Sequence, residues 1–204
     1  MHLLAPEDRR YHLRFRIGDG PSERGARVGG WPPADLDSRP LCEGMTYFLT
    51  FPLADTPELY ASIFLAEFGD LMKALNDGFK TDSRVAIIPH TDISRGDSSQ
   101  FASTLSSHPI VIGEQYSDLC RNDLGEVLPW SDHKFGGEPY CIQEPELPGA
   151  RALFEQGFIQ VLQLDFPNAA DGNIDGDWPV GDGIFNVFWK PPFEGVPYYW
   201  YLQG

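Results

Sequence analysis

Two stretches far apart in this chain share one pattern: a base, an apolar residue, two glycines, any residue, then proline. They are Arg27-Val28-Gly29-Gly30-Trp31-Pro32 and Lys134-Phe135-Gly136-Gly137-Glu138-Pro139. Adjacent glycines tolerate the positive φ of a tight turn, and the fixed φ of proline launches the chain out of it. Gly29, Gly30, Pro32, Gly136, Gly137 and Pro139 are therefore read as structural turns. The segments downstream of the two hexads also match in order. Tyr47-Phe48-Leu49-Thr50-Phe51 answers to Gln160-Val161-Leu162-Gln163-Leu164. Ser62-Ile63-Phe64-Leu65 answers to Gly183-Ile184-Phe185-Asn186-Val187, and Val85-Ala86-Ile87-Ile88-Pro89 to Val196-Pro197-Tyr198-Tyr199-Trp200. Four elements in the same order in both halves predict an internal duplication of one β-rich unit.

Local patterning agrees. Tyr11, Leu13, Phe15 and Ile17 alternate with His12, Arg14 and Arg16, as in a half-buried strand. Phe158 to Phe166, Ile184 to Trp189 and Val196 to Leu202 are rich in β-branched and aromatic residues. Thr56-Pro57-Glu58 has helix-opening chemistry, but the repeat favours a strand at Tyr60 to Leu65 with a short helix at Asp70 to Leu75. Ala150 to Gln156 reads as one or two helical turns. With 21 glycines and 18 prolines, the chain has little room for long helices. The expected fold is mostly β (α+β): two tandem copies of an antiparallel unit packed as one pseudo-symmetric globule with a few short helices. Residues 1–90 form the first unit (core 27–90), 91–133 a linker and connecting segment, and 134–204 the second unit.

The formal charge of −15 is unevenly placed. Residues 1–90 hold ten Lys/Arg and thirteen Asp/Glu, a balance of −3, whereas residues 91–204 hold five and seventeen, a balance of −12. Such a surface repels phosphate backbones and anionic lipid, so neither nucleic acid nor membrane is an expected partner. A basic protein is the complementary partner. Acidity that serves only solubility is the plain alternative. Cys42, Cys120 and Cys141 show no short metal spacing and no even pairing, and are read as idle or buried thiols in a reducing compartment. No basic-then-apolar leader opens the sequence, so the expected location is cytoplasmic.

Catalytic patterns are missing. Gly96-Asp97-Ser98-Ser99-Gln100 lacks the second glycine of a nucleophile elbow, and there is no phosphate-binding or dinucleotide fingerprint. His90-Thr91-Asp92 is read as a surface turn. No enzyme activity and no cofactor are expected. One constellation suits a cation: Asp171, Asn173, Asp175, Asp177 and Asp182 occupy the ligand order of a calcium loop, with Gly176 where that loop bends. Against this, Asp182 has a short arm, Pro179 is stiff and the flanks read as strands. An acidic loop without an ion is the other reading.

The second hexad with Tyr140, then Val161-Leu162-Gln163-Leu164-Asp165, Trp178-Pro179-Val180-Gly181-Asp182-Gly183 and Tyr198-Tyr199-Trp200, resembles the bacterial YwqG-like family. The likeness covers residues 134–204 well and 27–90 more loosely. It implies a duplicated antiparallel fold related to programmed-cell-death-two-type chaperones, and it carries over no catalytic residue. Bacterial members of that family look like components of toxin–immunity loci. The resemblance therefore implies a non-catalytic protein-binding role: an immunity protein for a basic toxin, or a chaperone for a basic, ribosomal-type client. A third possibility is a calcium- or ligand-binding protein using loop 171–182. Trp178, Trp189, Tyr198, Tyr199 and Trp200 are candidates for a contact surface, or for core packing.

Overall fold

The computed structural model describes residues 11–20, 22, 25–36, 44–53, 58–94, 96, 101, 103–117, 133–140, 149–167, 171–193 and 197–204. The three cysteines lie outside these residues. Ten strands are present among them: β1 (Tyr11–Ile17), β2 (Arg27–Val28), β3 (Thr46–Pro52), β4 (Tyr60–Leu65), β5 (Val85–His90), β6 (His108–Ser117), β7 (Lys134–Gly136), β8 (Ile159–Leu164), β9 (Ile184–Trp189) and β10 (Tyr199–Gln203). Two short helices accompany them, α1 (Phe68–Met72) and α2 (Ala150–Glu155). The mostly β, antiparallel class expected from the sequence is what the chain adopts.

All ten strands form one sheet, in the order β10-β9-β8-β7-β1-β6-β2-β3-β4-β5. This order cuts across the boundaries expected at residues 90 and 133. β1 pairs with β7 and not with β2, while β6 pairs with β2. The segment expected to connect the halves thus supplies a central ten-residue strand. Pro109 to Gly113 is its apolar part, and Ile110 and Ile112 are buried in the core.

Counted outward from the β1–β6 pair, the two flanks correspond strand for strand. At the centre Arg16 faces Val111, with Phe15–Ile112 and Ile17–Ile110 on either side. On one flank Arg27 faces Thr50, which faces Ser62; on the other Lys134 faces Gln163, which faces Asn186. β3 carries a register shift between Tyr47 and Leu49, and β8 carries one between Gln160 and Leu162. A bulge turns two successive residues toward one face. Accordingly Phe48 and Leu49, and likewise Val161 and Leu162, all enter the main core.

Every strand contributes to that core, from Leu13 on β1 to Leu202 on β10. The sheet curls until its ends nearly meet. Lys80 forms a two-bond antiparallel bridge with Trp200 (N to O distances 2.8 and 2.9 Å), and Tyr198 Oη donates to the Val85 carbonyl at 2.8 Å. Near closure covers the outermost strand, whose unpaired amides are otherwise exposed. Outside the curl, each flank holds a smaller apolar cluster. Leu36, Phe64 and Phe101 belong to one, and Leu153 of α2, Phe158 and Phe188 to the other.

The glycine pairs perform the turns expected of them. Gly29 and Gly30 have φ of 72° and 77°, and Gly136 and Gly137 have 73° and 77°. Each turn folds back over its own base. Arg27 Nη2 donates to the Trp31 carbonyl at 3.2 Å, and Lys134 Nζ donates to the carbonyl of Glu138, in both cases four residues on. The basic position of the hexad therefore caps its own loop. Arg27 and Lys134 are buried, 8% and 2% exposed, and such groups need partners of this kind.

Candidate functional site

The flanks match in strands but not in connections. The β3–β4 connection (53–59) is short, whereas the β8–β9 connection (165–183) is long and crosses onto the first flank. Backbone contacts tie it to the central strand β1 and to the residues before β6. Gly172 N donates to the Ile17 carbonyl at 2.7 Å, and Ser106 N donates to the Asp175 carbonyl at 3.1 Å. A Cβ on Gly176 would stand 2.6 Å from the Thr104 carbonyl oxygen, so this glycine permits backbone to meet backbone. Trp178 packs edge-on against Phe48, ring centroids 5.2 Å apart.

A buried side-chain pair completes the attachment. Asp171 Oδ1 accepts the Ile17 amide at 2.7 Å, and its Oδ2 lies 3.1 Å from His133 Nε2. Both side chains are 1% exposed. The Asp165 amide donates to His133 Nδ1 at 3.1 Å. Because an amide can only donate there, Nδ1 is the acceptor and the ring proton sits on Nε2, directed at Asp171. Both ring nitrogens are thereby occupied. Phe15 stacks on the same ring, centroids 5.4 Å apart.

This geometry corrects the calcium-loop reading. Asp171, its first expected ligand, is turned into the protein and bonded to His133 and Ile17. Asp175 Oδ1 accepts from Asn173 Nδ2 at 3.2 Å, and Asp177 and Asp182 are exposed. Among the described residues no three His, Cys, Asp or Glu side chains are grouped to hold a metal. Gly176 serves close approach to Thr104 and Leu105, not a bend around an ion. The reading of His90-Thr91-Asp92 changes as well. His90 is buried, its Nδ1 donates to the Asp92 carbonyl at 2.6 Å, and the Asp92 carboxylate accepts from Ser94. His90 Nε2 also ends a buried chain running from Tyr47 Oη through Thr50 Oγ1 and Ser62 Oγ, with steps of 2.7, 2.7 and 2.9 Å. Ser62 is 0% exposed.

Where the long connection crosses, it leaves a cleft of ≈ 750 Å³. The opposite wall comes from the start of β3, from the residues joining β4 to α1, and from Ser103 and Thr104. Phe68 and Phe166 line it, and among the described residues these are the exposed large hydrophobic side chains, at 52% and 47%. The described lining carries two carboxylates, Glu67 and Asp177, and no cationic side chain. At its margin, burial pushes the Asp165 carboxyl above its ordinary range, aided by the nearby Asp171 charge.

The cleft was not marked by sequence. Trp178 is the expected aromatic that lines it, whereas Trp189 and Trp200 are core residues, both at most 1% exposed. Phe68 and Phe166 lack any local pattern that separates them from the other phenylalanines. No family model and no curated protein sequence matches this chain.

Proposed function

We propose that this chain is a non-catalytic protein-binding protein that engages a basic partner, an immunity protein for a basic toxin being the favoured form. The observation that carries the reading is the cleft, where exposed phenylalanines and carboxylates stand together without a cation among the described lining residues. Exposed aromatic rings beside carboxylates suit a partner that offers both apolar and basic groups, and complementary charge speeds encounter. His90 and His133 are both buried with their ring nitrogens engaged inside the protein, and neither lines the cleft. The YwqG-like resemblance points the same way by analogy. It also supports reading the flanks as copies of one unit, as do their matching bulges and glycine turns. A cytoplasmic location belongs to the same proposal.

The test is affinity capture from the source organism, then reconstitution with the purified captured protein. A stoichiometric complex with a basic protein, associating more slowly at high salt, supports the reading. A partner that is acidic, or an association rate indifferent to ionic strength, overturns it.

A further inference from the structure

The geometry points to the cleft as the docking site for a short extended segment of the partner, carrying an apolar or aromatic anchor flanked by lysine or arginine. This rests on the protein-binding reading and assigns it a place and a chemistry. The volume of ≈ 750 Å³ falls in the range of roughly 300–1,000 Å³ in which pockets enclose a drug-sized molecule, a size that a few side chains also fill. It is large for one ring and small for a folded domain.

The two exposed phenylalanines have different surroundings. Phe68 opens α1, and a Cβ on Gly181 would stand 3.3 Å from its ring, so the long connection backs it from behind. Phe166 comes two residues after β8, and its amide donates to Asp165 Oδ1 at 2.7 Å. Phe68 thus comes from the first flank and Phe166 from the start of the crossing connection, whose later part, with Trp178, forms the floor. An apolar anchor between them removes both rings from water, the kind of contact that dominates interface energetics. Glu67 adjoins Phe68 in sequence, and Asp177 adjoins Trp178 on the floor. Both carboxylates are exposed, so they act as rim charges that select basic neighbours of the anchor and repel acidic ones. An anionic or purely apolar occupant leaves these charges uncompensated.

The test uses a fluorescein-labelled peptide alternating lysine with leucine and phenylalanine, titrated against the full chain by anisotropy at low and high salt. One control replaces each lysine by glutamate, and a second replaces each apolar residue by serine. Both controls are expected to bind at least about tenfold more weakly, since each lacks one half of the recognition. The double change Phe68→Ser and Phe166→Ser is expected to lose about tenfold or more with an unchanged melting temperature. The double change Glu67→Gln and Asp177→Asn is expected to retain binding but to flatten its salt dependence. Peptide binding that ignores the phenylalanine changes, or a serine control that binds equally well, overturns the proposal. So does a concentration-dependent dimer abolished by those changes, which assigns the cleft to a second copy. If the captured basic protein binds the Phe68/Phe166 variant as tightly as the native chain, this site assignment fails while the protein-binding reading stands.

Discussion

His133 directs its Nε2 proton at Asp171 Oδ2, 3.1 Å away, because its Nδ1 already accepts the Asp165 amide. The same carboxylate accepts the Ile17 amide, so one buried side chain ties the long connection to both β1 and the start of β7. Asparagine cannot replace it. With its oxygen on Ile17, the amide nitrogen of an asparagine meets the His133 proton donor to donor, and the other tautomer sets Nδ1–H against the Asp165 amide. Asp171→Asn is therefore expected to lose about as much stability as Asp171→Ala, about 1–3 kcal/mol for a buried group left unsatisfied. Denaturant unfolding measures both, with and without millimolar calcium. A loss that appears only in the presence of calcium would restore the ion-binding reading.

Asp165 gives a pH-dependent counterpart. Its folded-state carboxyl is raised by burial, so between its ordinary value and the raised one the folded state holds a proton that the unfolded state has released. Stability consequently falls as pH rises through that window and then stays lowered. Asp165→Asn removes the titration, and its side-chain oxygen still accepts the Phe166 amide. The variant is expected to melt higher than the native chain at pH 7, with the difference closing below about pH 4, near the ordinary aspartate value. A difference independent of pH refutes this account.

Gly29 and Gly78 separate conformational strain from steric exclusion. Their φ values are nearly equal, 72° and 73°. A Cβ on Gly78 meets nothing within 4 Å, whereas one on Gly29 would stand 2.2 Å from the Ser106 carbonyl oxygen. Gly78→Ala is expected to lose only the left-handed penalty, about 1–2 kcal/mol. Gly29→Ala should lose clearly more, because the backbone of 105–106 must move. Equal melting temperatures for the two variants would show that the turn yields.

At the seam of the curled sheet, Arg84 places its guanidinium 5.3 Å from the centre of the Trp200 ring and grips both oxygens of Asp82, at 3.0 and 2.6 Å. Lysine keeps the charge but neither the fork nor the flat stacking face. Arg84→Lys is expected to destabilise by about 0.5–1 kcal/mol, given the partial exposure of the site. Thermal melts of the variant beside Arg84→Met distinguish the roles: if methionine restores native stability, packing alone holds the seam.

Much of the scaffold is legible locally. The alternation from Tyr11 to Ile17, the run from Ile184 to Trp189 and the two glycine pairs each announce their conformation through neighbours in sequence. β6 is harder to read because its start, His108-Pro109, imitates a loop, and only the pairing with β1 and β2 makes it a central strand. Loop 171–182 misleads for a related reason. Alternating oxygen-bearing residues with a glycine fit an ion in the abstract, but whether they converge depends on what else the loop touches.

Local sequence thus sets where the chain extends, where it turns with positive φ, and that two stretches do so in the same order. These properties depend on side-chain alternation and on the backbone freedom of single residues. Long-range contact set the rest: that β1 pairs with β7 while β6 pairs with β2, that Asp171 faces inward, and that Phe68 and Phe166 share a cleft. Each of those outcomes needs atoms brought together from distant segments, such as Ile17 and Asp171 across 154 residues, and no local pattern encodes which distant donor will satisfy a buried acceptor.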